Sequence, residues 1–217
     1  MQDPDTVQQT SRHEANGAVN LTPDQLDALK ELINIGVGRA AATLNAMIQA
    51  RIQLQVPFIK IVALSALEEE MADLDGGRLA AVHLAFEGPF SGNAALVFPT
   101  ESAVQLVSVL TGEEADSPDL DAVRVGTLTE VGNIVLNGVM GSMGNVLERR
   151  IEYVVPSYME ATITNLLTAH KTVPDVTVLL AQTRFTIEQL HIHGDVMLFF
   201  EVGSFGALVA AIDAMLS

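Results

Sequence analysis

The sequence predicts an α+β fold built as a pseudo-two-fold tandem duplication, in which a central, mostly antiparallel sheet carries two long helices and further short ones. Three observations predict it. Shifted by 99 positions (130 − 31), the segment around Leu29 falls on that around Leu128. Glu31 then meets Glu130, Asn34 meets Asn133, Ile35 meets Ile134, and Arg51, Ile52, Val56 and Pro57 meet Arg150, Ile151, Val155 and Pro156. Shifted by 102 positions (194 − 92), Gly92, Leu96, Phe98, Ser102, Leu106 and Val107 recur as Gly194, Leu198, Phe200, Ser204, Leu208 and Val209. The copies also run through helical and alternating patterns in the same order. Two copies are too few for a solenoid, whose units bury their faces only by stacking. The expectation is a single domain over 21–217 with repeats at about 21–119 and 120–217, preceded by a flexible polar tail at 1–20.

Each element has a local reason. The first long helix, expected over about 23–50, starts after Thr22, a good N-cap, with Pro23 in its first turn. Its counterpart is expected over 121–149. Each is followed by an extended run that ends at a proline, Pro57 or Pro156. Alternation in LAAVHLAF and TRFTIEQLHIH predicts half-buried strands, expected over 78–87 and 92–98 in the first copy and 175–188 and 195–201 in the second. A short apolar helix closes each copy, near 100–110 and 203–216.

At about 100° per residue with Leu29 at zero, Ile33, Val37, Ala40, Leu44 and Met47 fall between about 0° and 80° and predict the core stripe. Asp27, Glu31 and Asn34 fall on the opposite side, because spacings of three, four and seven stack side chains on one face. In the second helix Leu128, Leu136, Val139, Met143 and Val146 make the core stripe, while Glu130, Asn133 and Asn137 share the polar one. For a single Glu/Asn pair a solvated helix face is the ordinary explanation. Duplication changes that balance: asparagine is a poor helix former whose amide competes for backbone hydrogen bonds, yet it recurs at one register where most neighbours have diverged. The helical glycines, among them Gly36, Gly38, Gly132, Gly138, Gly141 and Gly144, are expected to serve close packing.

Composition excludes several functions. A formal charge of −16 with scattered Lys and Arg offers no footprint for a nucleic-acid backbone. The absence of cysteine removes thiolate nucleophiles, thiolate metal sites and disulfides. Residues 1–20 contain no apolar h-region and no apolar run reaches bilayer length, so a cytoplasmic protein without membrane insertion is expected.

The spacing Asp27-x3-Glu31-x2-Asn34-x22-Pro57, with its second copy Glu130-x2-Asn133-x22-Pro156, resembles the signature of the CheC family of chemotaxis phosphatases, which includes CheX and FliY. The resemblance spans about 21–217 and is closest to CheC, with two active-site helices. It implies a phosphatase acting on the phospho-aspartate of a CheY-like response regulator. Asn34 and Asn133 would orient the attacking water, and Glu31 and Glu130 would engage the regulator's lysine. Asp27 and Asn137 would add partner contacts. No cofactor is implied for this chain; Mg2+ would sit in the regulator. Family members also bind the receptor deamidase CheD. The second copy carries Gly126 where the first has Asp27, which favours the Asn34 site. The rival is a non-enzymatic scaffold or flagellar switch component of the same fold.

Other motifs carry less. GVGRAA at Gly36 imitates a dinucleotide loop but lacks the acid about 20 residues on. Asp73–Leu74–Asp75–Gly76 reads as a surface turn. His191 and His193 share a strand face without a third ligand, His83 reads as a half-buried strand residue, and Met140, Met143 and Met197 read as core.

Overall fold

A computed structural model describes residues 21–63, 78–112, 120–162, 165 and 177–216. Helix α1 (Pro23–Ile48) begins with a reciprocal capping box, Thr22 Oγ1 accepting from the Gln25 backbone N–H while Gln25 Oε1 accepts from that of Thr22. It leads to β1 (Gln53–Leu54), β2 (Phe58–Ala63) and the hairpin β3 (Leu79–Glu87) and β4 (Gly92–Pro99). Helix α2 (Thr100–Thr111) closes the first copy. The second copy supplies α3 (Leu120–Val146), β5 (Glu152–Tyr153), β6 (Ser157–Ala161), β7 (Thr177–Ile187), β8 (Ile192–Glu201) and α4 (Val202–Leu216). The expected elements lie within a few residues of these bounds; the tail at 1–20 and the Asp73–Gly76 turn lie outside the described residues.

All described pairings are antiparallel, in the order β1-β7-β8-β4-β3-β5, with β2 also on β7 and β6 also on β3. The copies therefore exchange strands: β1 and β2 of the first pair with the hairpin of the second, and β5 and β6 of the second with the hairpin of the first. The exchange keeps one register. Lys60 pairs with Leu180 and Met159 with Ala81, and adding 99 to one member of each pair gives the other pair's partner. The pseudo-two-fold passes between β4 and β8 at Ala95 and Met197, positions that are each other's equivalents at offset 102. The change of offset arises in the hairpins. Five residues separate Phe86 from its partner Gly92, whereas eight separate Phe185 from Gly194. The longer connection contains the 3-10 turn Glu188–Leu190.

The prolines are bulges rather than ends. Leu54 pairs with Phe185, but Phe58 pairs with Gln182, so one extra residue lies on the proline-bearing strand; Tyr153 with Phe86 and Ser157 with His83 repeat this. A proline has no N–H to give to the ladder and is tolerated at such a break. The expected runs ending at Pro57 and Pro156 thus continue as β2 and β6.

Alternate strand residues meet the helices in one large core. In α1 the buried residues Gly36, Ala40, Leu44 and Ile48 follow an i+4 row, the ridge that inclines to the axis when helices cross at an angle. That drift leaves Met47 exposed, against expectation, and buries Ile48 in its place. Leu29, Ile33, Val37, Leu128, Leu136, Val139, Met140, Met143 and Met197 are buried as expected, and Val146 is half-buried. Two ring pairs repeat across the pseudo-axis, Phe86 on Phe200 and Phe98 on Phe185, each with centroids 5.6 Å apart. Gly92 and Gly194 lie beneath them: a Cβ at either would approach the Phe86 or Phe185 ring within 2.6 Å. No helix among the described residues is long and apolar enough to cross a membrane.

A polar cluster ties α3 to β6. Arg124 donates from Nη2 to Glu160 Oε1 at 2.6 Å, and Tyr158 donates its O–H to the same oxygen at 3.0 Å. Burial, then the hydrogen bond to Glu160, pushes the Tyr158 phenol from 10.0 up to about 12. A raised acid favours the folded state fully below the unfolded value and loses that contribution as pH rises from 10.0 through about 12. Stability measured by urea unfolding is therefore expected to fall across this window and Tyr158→Phe to flatten that part of the profile. An unchanged alkaline slope in the variant would contradict the assignment.

Candidate active site

The two long helices pack directly on each other. A Cβ built on Gly36 would lie 3.3 Å from the Val139 backbone, and one on Gly138 would lie 3.4 Å from Ala40 Cβ. A third glycine, Gly132, seats α3 on β3, where a Cβ would run into Val82. Close packing thus accounts for these three, as expected, whereas Gly38 and Gly141 face open space. Arg39 Nη1 donates across the crossing to the buried Ser142 Oγ at 3.3 Å. Each Glu/Asn pair lies ahead of this crossing, Glu31 and Asn34 in the N-terminal half of α1 and Glu130 and Asn133 just before and at the middle of α3.

Glu31 and Glu130 are exposed, and Asn34 and Asn133 are half-buried. Each asparagine thus sits at the margin between core and solvent, with its glutamate one turn before it on the outer face. Among the described residues the side chains of Glu31, Asn34 and Glu130 make no hydrogen bond or ion pair, so their polar groups are available to a partner. Asp27 is exposed and lies 3.6 Å from Lys30 Nζ, an i,i+3 pair of little energetic weight at such exposure. The structure does not join the two pairs into one constellation: they occupy separate helices, related by the pseudo-two-fold.

Asn137 differs from expectation in its surroundings. It is half-buried and donates from Nδ2 to Asn133 Oδ1 at 2.6 Å, while its own Oδ1 is buried without a partner. The contact was encoded in the i,i+4 spacing of two amides, a pairing known to form on helices. Its equivalent in α1 is Gly38 (137 − 99), beside which a Cβ would meet nothing within 4 Å.

The remaining candidates resolve into structural roles. His191 takes a left-handed turn (φ 51°) after the 3-10 segment and precedes β8, so it does not share a strand face with His193; the hairpin's extra residues displace it. His193 binds Ser102 through its backbone N–H. His83 is half-buried as expected, with Nε2 3.0 Å from Ser157 Oγ. No cluster of three or more His, Cys, Asp or Glu capable of holding a metal occurs among the described residues.

No protein-family model matches the chain. The CheY-P phosphatase CheC of Bacillus subtilis (strain 168) is 28% identical over 139 residues, which cover 61% of this chain and 65% of that protein. The chain thus spans slightly less than two thirds of this relative. The crystal structure of Thermotoga maritima FliY superposes with a TM-score of 0.69 at 18% identity, covering 91% of this chain and 98% of that one. CheX in the CheX–CheY–BeF3–Mg2+ complex of Borrelia burgdorferi gives 0.51 at 17% identity over 79% of this chain and 98% of that one. These likenesses show a shared α+β fold. In sequence the chain is thus similar to a CheC, and in fold to FliY and CheX structures.

Proposed function

We propose that the protein is a phosphatase for the phospho-aspartate of a CheY-like response regulator, with one site on each long helix. The observation that carries it is the repeated, solvent-facing Glu with a half-buried Asn one turn on, in register on two helices that otherwise differ. An acyl phosphate is already reactive, and its hydrolysis depends on positioning and charge stabilisation rather than on a protein nucleophile. An amide suits that task, since it donates to and accepts from water without changing charge. In this reading Asn34 or Asn133 orients the water for in-line attack, and Glu31 or Glu130 pairs with the regulator's active-site lysine. The similarity to a CheY-P phosphatase and the fold shared with a CheX bound to CheY support the choice of partner.

The metal belongs to the regulator. Chelating Mg2+ is therefore expected to stop protein-stimulated loss of label from a phosphorylated regulator, and restoring Mg2+ to recover it. Stimulation that persists in chelator would contradict this chemistry. The scaffold alternative predicts a stable complex with phosphorylated regulator and no stimulation at any Mg2+ concentration; it leaves the repeated amide without a use.

A further inference from the structure

The two sites are not chemically equivalent. Beside Asn133 stands Asn137, whose Nδ2 donates to Asn133 Oδ1 at 2.6 Å. Beside Asn34 stands Gly38, with open space where a side chain would project. The terminal torsion of an asparagine is broad and roughly two-fold, so an unsupported amide rotates and exchanges its oxygen for its nitrogen. A hydrogen bond from a neighbouring amide removes that freedom.

The direction of the bond is also fixed. Asn137 Oδ1 is buried without a partner. Turning both amides would put the Asn137 NH2 in that place and strand two donors, which is worse than one under-used carbonyl. Asn137 therefore donates and Asn133 accepts. This leaves the Asn133 NH2 free to face a phosphoryl oxygen and the second lone pair of its Oδ1 free for a water O–H.

We propose that Asn137 is a positioning residue that preorganises Asn133, so that the α3 site turns over faster than the α1 site, reversing the order that Asp27 suggests. The proposal rests on the phosphatase reading above, and the two fail in different ways. With Asn34→Ala as background, which leaves the α3 site alone, Asn137→Ala is expected to lower kcat on the order of tenfold at unchanged KM for the phosphorylated regulator, the signature of lost positioning. Asn137→Gln keeps an amide donor and is expected to restore most of the rate. With Asn133→Ala as background, Gly38→Asn is expected to raise kcat at the α1 site several-fold.

A readout independent of turnover is side-chain 15N relaxation of the free protein. The Asn133 amide is expected to be more ordered than that of Asn34, and to fall to the Asn34 level in Asn137→Ala. A raised KM at constant kcat in Asn137→Ala would make Asn137 a docking contact and overturn the proposal. An unchanged kcat, or equal order of the two amides in the unaltered protein, would overturn it too. If no variant stimulates dephosphorylation while the Asn133 amide remains ordered, the phosphatase reading itself fails and takes the catalytic role of Asn137 with it.

Discussion

Replacing Asn34 and Asn133 together by alanine is expected to return dephosphorylation of the regulator to its spontaneous rate, with the fold intact. Each asparagine is the group assigned to hold the attacking water, and loss of such positioning costs on the order of a hundredfold or more at each site. Because the sites lie on separate helices, one intact pair is expected to sustain turnover and only the double variant to remove it. Stability pulls in two directions by small amounts. Alanine is the better helix former by roughly 0.5 kcal/mol at each position, while removal of Asn133 leaves the Asn137 amide without its acceptor, costing about 1 kcal/mol. The net shift in a urea midpoint is therefore expected to be slight. Turnover that persists in the double variant would sink the mechanism; wholesale unfolding would show that the asparagines hold the helices together.

Gly92→Ala is expected to have the largest effect on folding. A Cβ there would run into the carbonyl oxygen of Phe199 on the neighbouring strand and the ring of Phe86. The strand cannot retreat without breaking the β4–β8 ladder at the centre of the sheet, where the two copies meet. Overpacking at a site bounded by backbone is expected to cost about 3 kcal/mol or more. Gly141 is the contrast: it lies within α3 with nothing near the position of a Cβ, so Gly141→Ala is expected to stabilise by up to about 1 kcal/mol. Urea unfolding of the two variants measures both. Equal stability of Gly92→Ala and the parent would mean that β4 and β8 are not packed as described.

These contrasts show which features of the molecule are legible in its sequence. The helices and hairpins are local: a Thr–Pro start, a 3.6-residue stripe and alternation each specify an element within a few residues, although β3 and β8 are buried on both faces over most of their length rather than half-buried as alternation predicts. The duplication was visible because Glu31 and Asn34 recur in register as Glu130 and Asn133, which also marked the candidate site. The exchange of β1 and β2 for β5 and β6 was not visible, since it depends on pairings between residues far apart in the chain, such as Lys60 with Leu180 and Ala81 with Met159. Pro57 and Pro156 read as stops because a missing N–H usually ends a strand; only the partner strand reveals a bulge. Met47 failed for a related reason: a straight helical wheel does not include the inclination of crossing helices. The bond between Asn137 and Asn133 was written in their spacing, but its consequence emerged only when Gly38 was seen to leave the matching position empty.

Hydrolysis of a phospho-aspartate by these two helices, as against mere binding of its carrier, is measured most directly by the decay of 32P label on a purified CheY-like regulator with Mg2+, with and without catalytic amounts of this protein. The predicted result is accelerated release of inorganic phosphate with many turnovers per chain, falling when either asparagine is replaced and vanishing when both are. Label that decays at its spontaneous rate while the regulator is bound would contradict it.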